Sequence, residues 1–366
     1  MGLAFKNGKF KIIQIADIQD TADLDGETLR LIEAALDKEK PDLAVLTGDQ
    51  VKGYARSMKS EANVEKTIGR IAAPFEARGV PFTLAFGNHD CEGVPAEKQL
   101  ARYMASPVCA AFDSPGISGC GNHNLVIEGS HGKPALNIYM LDSHGNAGLG
   151  GYEPLEADQI AWYRETREAL KEQAGDYVPS LLFQHVPVAA AYRLLIPHEK
   201  KVKGSIRGFA GFKNKYYTLD ESKIYPGGRH LETLCVPVSD AGLFEAALER
   251  GELLGMYFGH DHKNSFAGPV EGIDLGYSPG CGFAAYGDGV HRGVRVFEFG
   301  ETDVRAYKTQ VLTYGELFHR KRVSSLKHWM TDQTPSSVDD AIAKGIKLLV
   351  ALGVLAGLVI ALVILL

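Results

Sequence analysis

Five segments of this chain end in side chains that bind metal ions, and each follows a short apolar run. Asp17 follows Ile13-Gln14-Ile15-Ala16. Asp49 follows Leu46-Thr47-Gly48, and Asn88-His89-Asp90 follows Ala85-Phe86-Gly87. His185 follows Leu182-Phe183-Gln184, and His260 and His262 follow Tyr257-Phe258-Gly259. Carboxylate, amide and imidazole donors of this kind suit first-row transition metals. Taken singly each is a weak signal, since a histidine at a strand end is more often a hydrogen-bonded structural group. Together they point to one place, because strand ends along one edge of a sheet converge, and α/β proteins put ligand sites there.

The elements that must position them can be read from hydropathy. Phe10 to Ile15, Leu43 to Thr47, Pro81 to Ala85, Ala135 to Leu141, Ser180 to Gln184 and Leu254 to Phe258 are short apolar runs closed by Gly, Asp, Asn or His, the pattern of buried strands. Leu29, Ile32 and Leu36 mark one helical face, and Val64, Ile68, Ile71 and Phe75 mark another. Leu155 to Gln173 and Leu243 to Arg250 are two further helices. Leu275 to Tyr277, Val294 to Phe299 and Val304 to Lys308 read as strands with no helix between them, which implies a second sheet packed on the first.

At this point the sequence resembles the calcineurin-like metallophosphoesterase superfamily, whose pattern is D-x-H, G-D, G-N-H-D/E, a lone H after a strand, and G-H-x-H. It stands here as Asp17-Ile18-Gln19, Gly48-Asp49, Gly87-Asn88-His89-Asp90, His185 and Gly259-His260-Asp261-His262. Residues 259–286 also look like the intracellular branch related to purple acid phosphatases. The resemblance implies two packed mixed β-sheets flanked by helices, a four-layer αββα sandwich. It further implies that Asp49 bridges two metal ions, with Asp17 and His262 completing one site and Asn88, His185 and His260 the other. His89 is then the non-ligand acid, Asp90 its orienting partner, and Asn88 and His89 the residues that meet the substrate. Two cations about 3.5–4 Å apart lower the pKa of a shared water and stabilise both oxygens of an in-line displacement. The implied activity is metal-dependent hydrolysis of a phosphate ester, as a phosphatase or a phosphodiesterase.

One position departs from the family pattern. Residue 19 is Gln19, which offers an amide oxygen where the family has an imidazole, so the first site has one nitrogen ligand, His262. Oxygen-rich ligation favours manganese or iron, with zinc possible. The tyrosinate of purple acid phosphatases is also missing from register, because Lys52 stands three residues after Asp49 and Tyr54 is displaced. His123 and His144 flank strand-like runs and are further candidates to line the pocket.

Length and charge bound the alternatives. At 366 residues, 45% hydrophobic and 23% charged, the chain can bury a large core. A net charge of −6 gives no basic footprint for nucleic acid. That weighs against a nuclease, one rival reading; the other, to which Gln19 points, is a binding scaffold of the same fold with weakened catalysis. The five cysteines are scattered and never form C-x-x-C, so they suggest neither a disulfide framework nor a zinc ribbon. Residues 193–229 interleave Arg193, Lys200, Lys201, Lys203, Arg207, Lys213, Lys215, Lys223 and Arg229 with aromatic side chains, which suits a substrate lid as well as an ordinary solvated loop.

Both ends of the chain bear on location. Met1 to Lys9 has no secretory pattern. Leu348 to Leu366 is an unbroken apolar run of 19 residues, enough at ~1.5 Å each to span roughly 28 Å of hydrocarbon. The expectation is a phosphoesterase domain over 1–312, a basic, polar juxtamembrane linker over 313–343, and one C-terminal transmembrane helix over 344–366. Lys344, Lys347 and the basic residues at 320–322 and 327 put the N-terminal side in the cytoplasm by the positive-inside rule. The expected partners are a phosphate ester, the lipid bilayer and, through the spacing of Gly353 and Gly357, a second copy of the chain.

Overall fold

The computed structural model describes residues 2–148, 150–323, 325–335 and 337–365. In chain order the strands are β1 (Leu3–Ala4), β2 (Lys9–Ile15), β3 (Leu43–Thr47), β4 (Phe82–Ala85), β5 (His123–Glu128), β6 (Pro134–Met140), β7 (Ser180–Phe183), β8 (Leu195–His198), β9 (Ile206–Arg207), β10 (Tyr216–Leu219), β11 (Leu253–Phe258), β12 (Ala267–Val270), β13 (Ile273–Tyr277), β14 (Gly293–Gly300) and β15 (Asp303–Thr313). The α-helices are α1 (Gly26–Glu39), α2 (Glu61–Arg78), α3 (Ala96–Met104), α4 (Ala157–Ala174), α5 (Leu243–Leu248), α6 (Tyr314–Phe318), α7 (Leu326–Asp332) and α8 (Val338–Leu365).

Period-two alternation sorts the strand side chains between two faces. In β3, Ala44 and Leu46 pack with Leu31, Ile32, Ile68 and Phe75 of α1 and α2, while Leu43 and Val45 point the other way. In β7, Leu182 packs with Ile160 and Tyr163 of α4, whereas Leu181 and Phe183 join Leu43 and Val45. Three cores follow: one between each sheet and its helices, and a third between the sheets, where Phe10, Ile12, Leu136, Ile138, Tyr257 and Phe297 meet. This is the four-layer αββα sandwich expected from the sequence.

One sheet runs β15-β14-β2-β3-β4 and the other β1-β5-β6-β7-β11-β13-β12. β2, β3 and β4 are parallel, and so are β6, β7, β11 and β13, so their C-terminal ends open at a common edge. The third sheet, β8-β10-β9, was not legible from hydropathy and lies in the expected lid segment.

The expected membrane anchor is overturned. Among the described residues, no helix is long and apolar enough to cross a membrane. The physical reason begins at the start of α8, which carries Asp339, Asp340, Lys344 and Lys347. Asp339 is ion-paired with Lys201 at 3.5 Å and Arg207 at 3.9 Å, so these first turns lie on the domain surface. The single-pass, cytoplasm-facing placement rested on that anchor and falls with it, as does the lipid bilayer as a partner. The homodimer expectation rested on two membrane-spanning helices meeting at Gly353 and Gly357 and loses its argument with the anchor. Within 313–343, α6 sits against the domain through Tyr314 on Glu27 (2.6 Å), and α7 through His328 on Asp25 (3.1 Å) and Asp332 on the buried Arg292 (2.6 Å).

Candidate metal centre

The strands deliver their polar ends through unusual backbone. Asp17, Gln19, Asp49 and His260 all have positive φ, at 54°, 40°, 52° and 73°. A non-glycine residue in the left-handed region costs about 1–3 kcal/mol where the region is sparsely populated, and such strain gathers at functional sites. It is held here by cross-strand hydrogen bonds: Asp17 N–H donates to Gly48 O (3.1 Å), Gln19 N–H to Asp49 O (2.7 Å) and Gly282 N–H to Asp17 O (3.0 Å). Gly48 is required, because a Cβ there would lie 2.4 Å from Nδ1 of His185.

The histidines show where positive charge is wanted. His185 Nδ1 lies 2.9 Å from Thr47 O, and a carbonyl can only accept, so Nδ1 carries the ring proton. Its Nε2 then faces two acceptors, Asn88 Oδ1 at 3.1 Å and Asp49 Oδ2 at 3.5 Å, with His260 Nδ1 also at 3.1 Å. A proton on His260 Nδ1 can meet the Nε2 lone pair, whereas Asn88 Oδ1 and Asp49 Oδ2 call for a second proton on His185 or a metal ion. Burial works to lower His185, but the Asp49 carboxylate outweighs it and lifts the imidazolium to about 10. Burial pushes Asp49 up, yet His185 overrides it and holds Asp49 below the usual carboxylate range.

A second group lies across Asp49. His262 Nδ1 meets Tyr286 O at 2.8 Å, which leaves Nε2 as a lone pair 3.4 Å from Asp17 Oδ1. Donor atoms of Asp17, Asp49 and His262 all lie within 4.8 Å of one another. Burial drives His262 down to about 3, so the ring is neutral and able to ligate. Asp49 thus borders both groups, and the donor set of carboxylate, amide and neutral imidazole fits two metal ions.

Residues 10–264 match the family model described as calcineurin-like phosphoesterase. The chain belongs to that family. Among its relatives, probable inactive purple acid phosphatase 14 of Arabidopsis thaliana is 28% identical over 91% of this chain and 83% of that protein. Phosphatase DCR2 of Saccharomyces cerevisiae is 27% identical over 71% of this chain and 45% of its own length. A dimetal phosphatase from Danio rerio shares the fold, with a TM-score of 0.51 at 14% identity over 83% of this chain and 99% of that one.

In this calcineurin-like phosphoesterase the residues around the centre differ from expectation at several points. Gln19 turns its amide nitrogen, the end that cannot ligate, onto Asp49 Oδ2 at 3.0 Å. Asp90 does not touch His89. Its carboxylate accepts three backbone N–H groups, from Asp49 (2.8 Å), Val51 (2.7 Å) and Gly87 (2.8 Å), and so ties two loops together. The partner of His89 is Glu92, whose Oε1 lies 3.0 Å from Nδ1. Asn146 links Glu92 to Asn88, donating to Glu92 (3.2 Å) and accepting from Asn88 Nδ2 (3.2 Å). A spacing of i, i+3 across a turn was the only signal for Glu92, and Asn146 had none. His123 is buried against Thr83 and Gly121, and His144 binds Gln159, so neither lines the pocket.

A cavity of about 240 Å³ opens on the centre, and sequence reasoning missed several of its walls: Tyr54, Tyr152, Glu232, Cys235, Asp261 and Tyr286. A larger groove, about 940 Å³, runs along β14 and β15 and holds none of the metal-competent residues, so chemistry and not size locates the site. The basic segment 193–229 sends no lysine or arginine into the 240 Å³ cavity. Arg193 pairs with Glu271, Lys215 with Glu199, Lys223 with Asp220 and Arg229 with Asp288. These four cations are paired at the surface, away from the cavity.

Proposed function

We propose that this phosphoesterase hydrolyses the phosphate ester of a small alcohol at a centre of two ions. Asp17, Asp49 and His262 hold one ion, and Asp49, Asn88, His185 and His260 hold the other. The observation that carries the reading is Asp49, a buried carboxylate with His185 Nε2 at 3.5 Å on one side and, with Asp17 and His262, a set of metal-competent atoms within 4.8 Å of one another on the other. When bound, the ions neutralise the phosphate and activate water at neutral pH. The chain's own residues do the rest. Asn88 is fixed by Asn146 through its amide nitrogen, with its amide oxygen toward His185 where it would ligate the second ion. Glu92 holds His89 through Nδ1, which leaves Nε2 to give a proton to the departing alkoxide. Gln19 donates to the bridging carboxylate and fixes its plane without serving as a ligand.

The Asp17 side, with two carboxylates to one imidazole, favours manganese or iron over zinc. Purified protein is therefore expected to hydrolyse 4-nitrophenyl phosphate, to lose that activity on chelation and to recover it with manganese. Two tightly retained zinc ions and indifference to manganese would refute the metal assignment.

A second reading, a binding scaffold with weakened catalysis, is favoured by Gln19 and fits the word inactive in the name of the Arabidopsis relative. Absence of any metal-stimulated turnover, with ions still bound, would select it. A nuclease is disfavoured by a cavity of about 240 Å³ without a basic wall. Oligonucleotide cleavage would reverse that judgement.

A further inference from the structure

The Asp17–His262 side of the centre leans on one segment, residues 280–292, between β13 and β14. Cys281 N–H donates to Ala16 O (2.8 Å) and Gly282 N–H to Asp17 O (3.0 Å), so the start of the segment pins the turn that carries Asp17. Gly282 permits that approach, since a Cβ there would collide with Ile18 O. Further on, Tyr286 holds His262 twice. Its carbonyl meets Nδ1 at 2.8 Å, and its ring stacks on the imidazole at 4.2 Å with 4° between planes. An imidazole ligand keeps its tautomer and its aim through the partner of its other nitrogen. Whatever fixes Tyr286 therefore fixes His262.

A buried cation does the fixing. Arg292 is fully buried and donates from Nε to Gly282 O (2.8 Å) and from Nη2 to Ala285 O (2.8 Å), which ties the turn before Tyr286 to one guanidinium. Gly287 lets the guanidinium lie against the turn, because a Cβ there would sit 2.7 Å from Cζ. Burial works against the Arg292 charge and lowers its pKa. The carboxylate that answers the charge is Asp332, the last residue of α7, 2.6 Å from Nη1; it also accepts the Gly287 N–H. An unanswered guanidinium is costly in the interior, so without Asp332 it would turn toward water and release the carbonyls of Gly282 and Ala285.

The same end of α7 has a second hold. Lys263, next to His262, gives its N–H to the buried Glu232 carboxylate (3.0 Å) and its Nζ to Thr334 O (3.0 Å), just past the helix. Glu232 also receives the Tyr286 hydroxyl. The helix is itself docked, with His328 on Asp25 at 3.1 Å and against the Phe283 ring at 5.0 Å. The other side of the centre is held differently, by Thr47 O on His185 Nδ1 and by Asn146 on Asn88.

We propose that Asp332 and Lys263 are positioning residues for His262, through which the end of α7 sets how tightly the Asp17–Asp49–His262 site holds its ion while leaving the Asn88–His185–His260 site alone. The proposal rests on the two-ion reading above.

The test titrates manganese into the metal-free full chain and resolves the bound equivalents by calorimetry. For Asp332→Asn we expect one equivalent to bind about tenfold more weakly and the other to stay within about twofold of the parent. In a His262→Ala background the same substitution should change neither equivalent beyond about twofold, because its route to the ion is gone. Asp332→Glu, which keeps the charge, should recover most of the lost affinity. Both equivalents weakened alike, neither weakened, or an effect undiminished in the His262→Ala background would make Asp332 a structural residue and overturn the proposal. Should Asp332→Asn fail to fold by circular dichroism, Lys263→Met reads the second hold in the same way. Weakening of one equivalent by about threefold or more supports the proposal, and an unchanged isotherm overturns it. A parent chain that binds no manganese sinks the two-ion reading and this inference together. A parent that binds two equivalents, with the variants unaltered, sinks the inference only.

Discussion

The strand-end centre and the 193–229 segment are both dense in polar side chains, yet they solve opposite problems. In the segment, Arg193, Lys201, Arg207, Lys215, Lys223 and Arg229 each meet a carboxylate at the surface. At the centre buried acceptors converge: Asn88 Oδ1 and Asp49 Oδ2 both face His185 Nε2, at 3.1 and 3.5 Å, and a proton or a cation must sit between them. Exposed ion pairs add little, about 0–1 kcal/mol. Buried acceptors turned toward each other are costly, and they persist because a cation resolves the conflict. A functional site is thus marked less by polarity than by polarity left unanswered within the chain.

That contrast can be broken most sharply at Asp49. Asp49→Ala should reduce turnover by at least about 10³-fold and empty both ion sites together, since one carboxylate borders the two groups. Loss of one metal equivalent only, by elemental analysis, would show that the sites are independent. His89→Ala should lower kcat by roughly 10²–10⁴-fold with metal content intact. Glu92→Gln should follow it with a smaller loss, about tenfold or more, because it only positions the ring. A change in KM alone for either would remove His89 from the proton transfer.

Asp90 supplies a third test, on stability instead of chemistry. Asp90→Asn should cost about 2–4 kcal/mol in urea denaturation, because an amide cannot accept from three N–H groups as a carboxylate does. An unchanged midpoint with lost activity would return Asp90 to the catalytic role. At the small end, Lys201→Ala and Lys215→Ala should leave kcat/KM within about twofold of the parent. A drop beyond that, for phosphate esters alone, would reinstate the segment as a lid.

The sandwich and the metal-competent residues were legible because both are written in local pattern. A strand of four to seven apolar residues that stops at Asp, Asn or His announces its element and its ligand at once, as at Asp17, Asp49 and His185. Glu92, Asn146, Glu232 and Tyr286 come from turns and irregular segments, where no period says which way a side chain points. Asp90 was misassigned for the same reason: it is adjacent to His89 in sequence, but its carboxylate turns inward to the amides of Asp49 and Val51. Gln19 was legible as a departure, though not the end it would offer. The C-terminal run misled because apolar composition was counted without the charged, domain-bound turns at Asp339 and Asp340 that begin its helix.

The left-handed backbone at Asp17, Asp49 and His260 also bears on how this protein can be improved. Those residues sit in conformations that glycine or asparagine would adopt more cheaply. A selection for heat resistance alone would drift toward such replacements, and each step gained in endurance would strip a donor from the place where the ions bind.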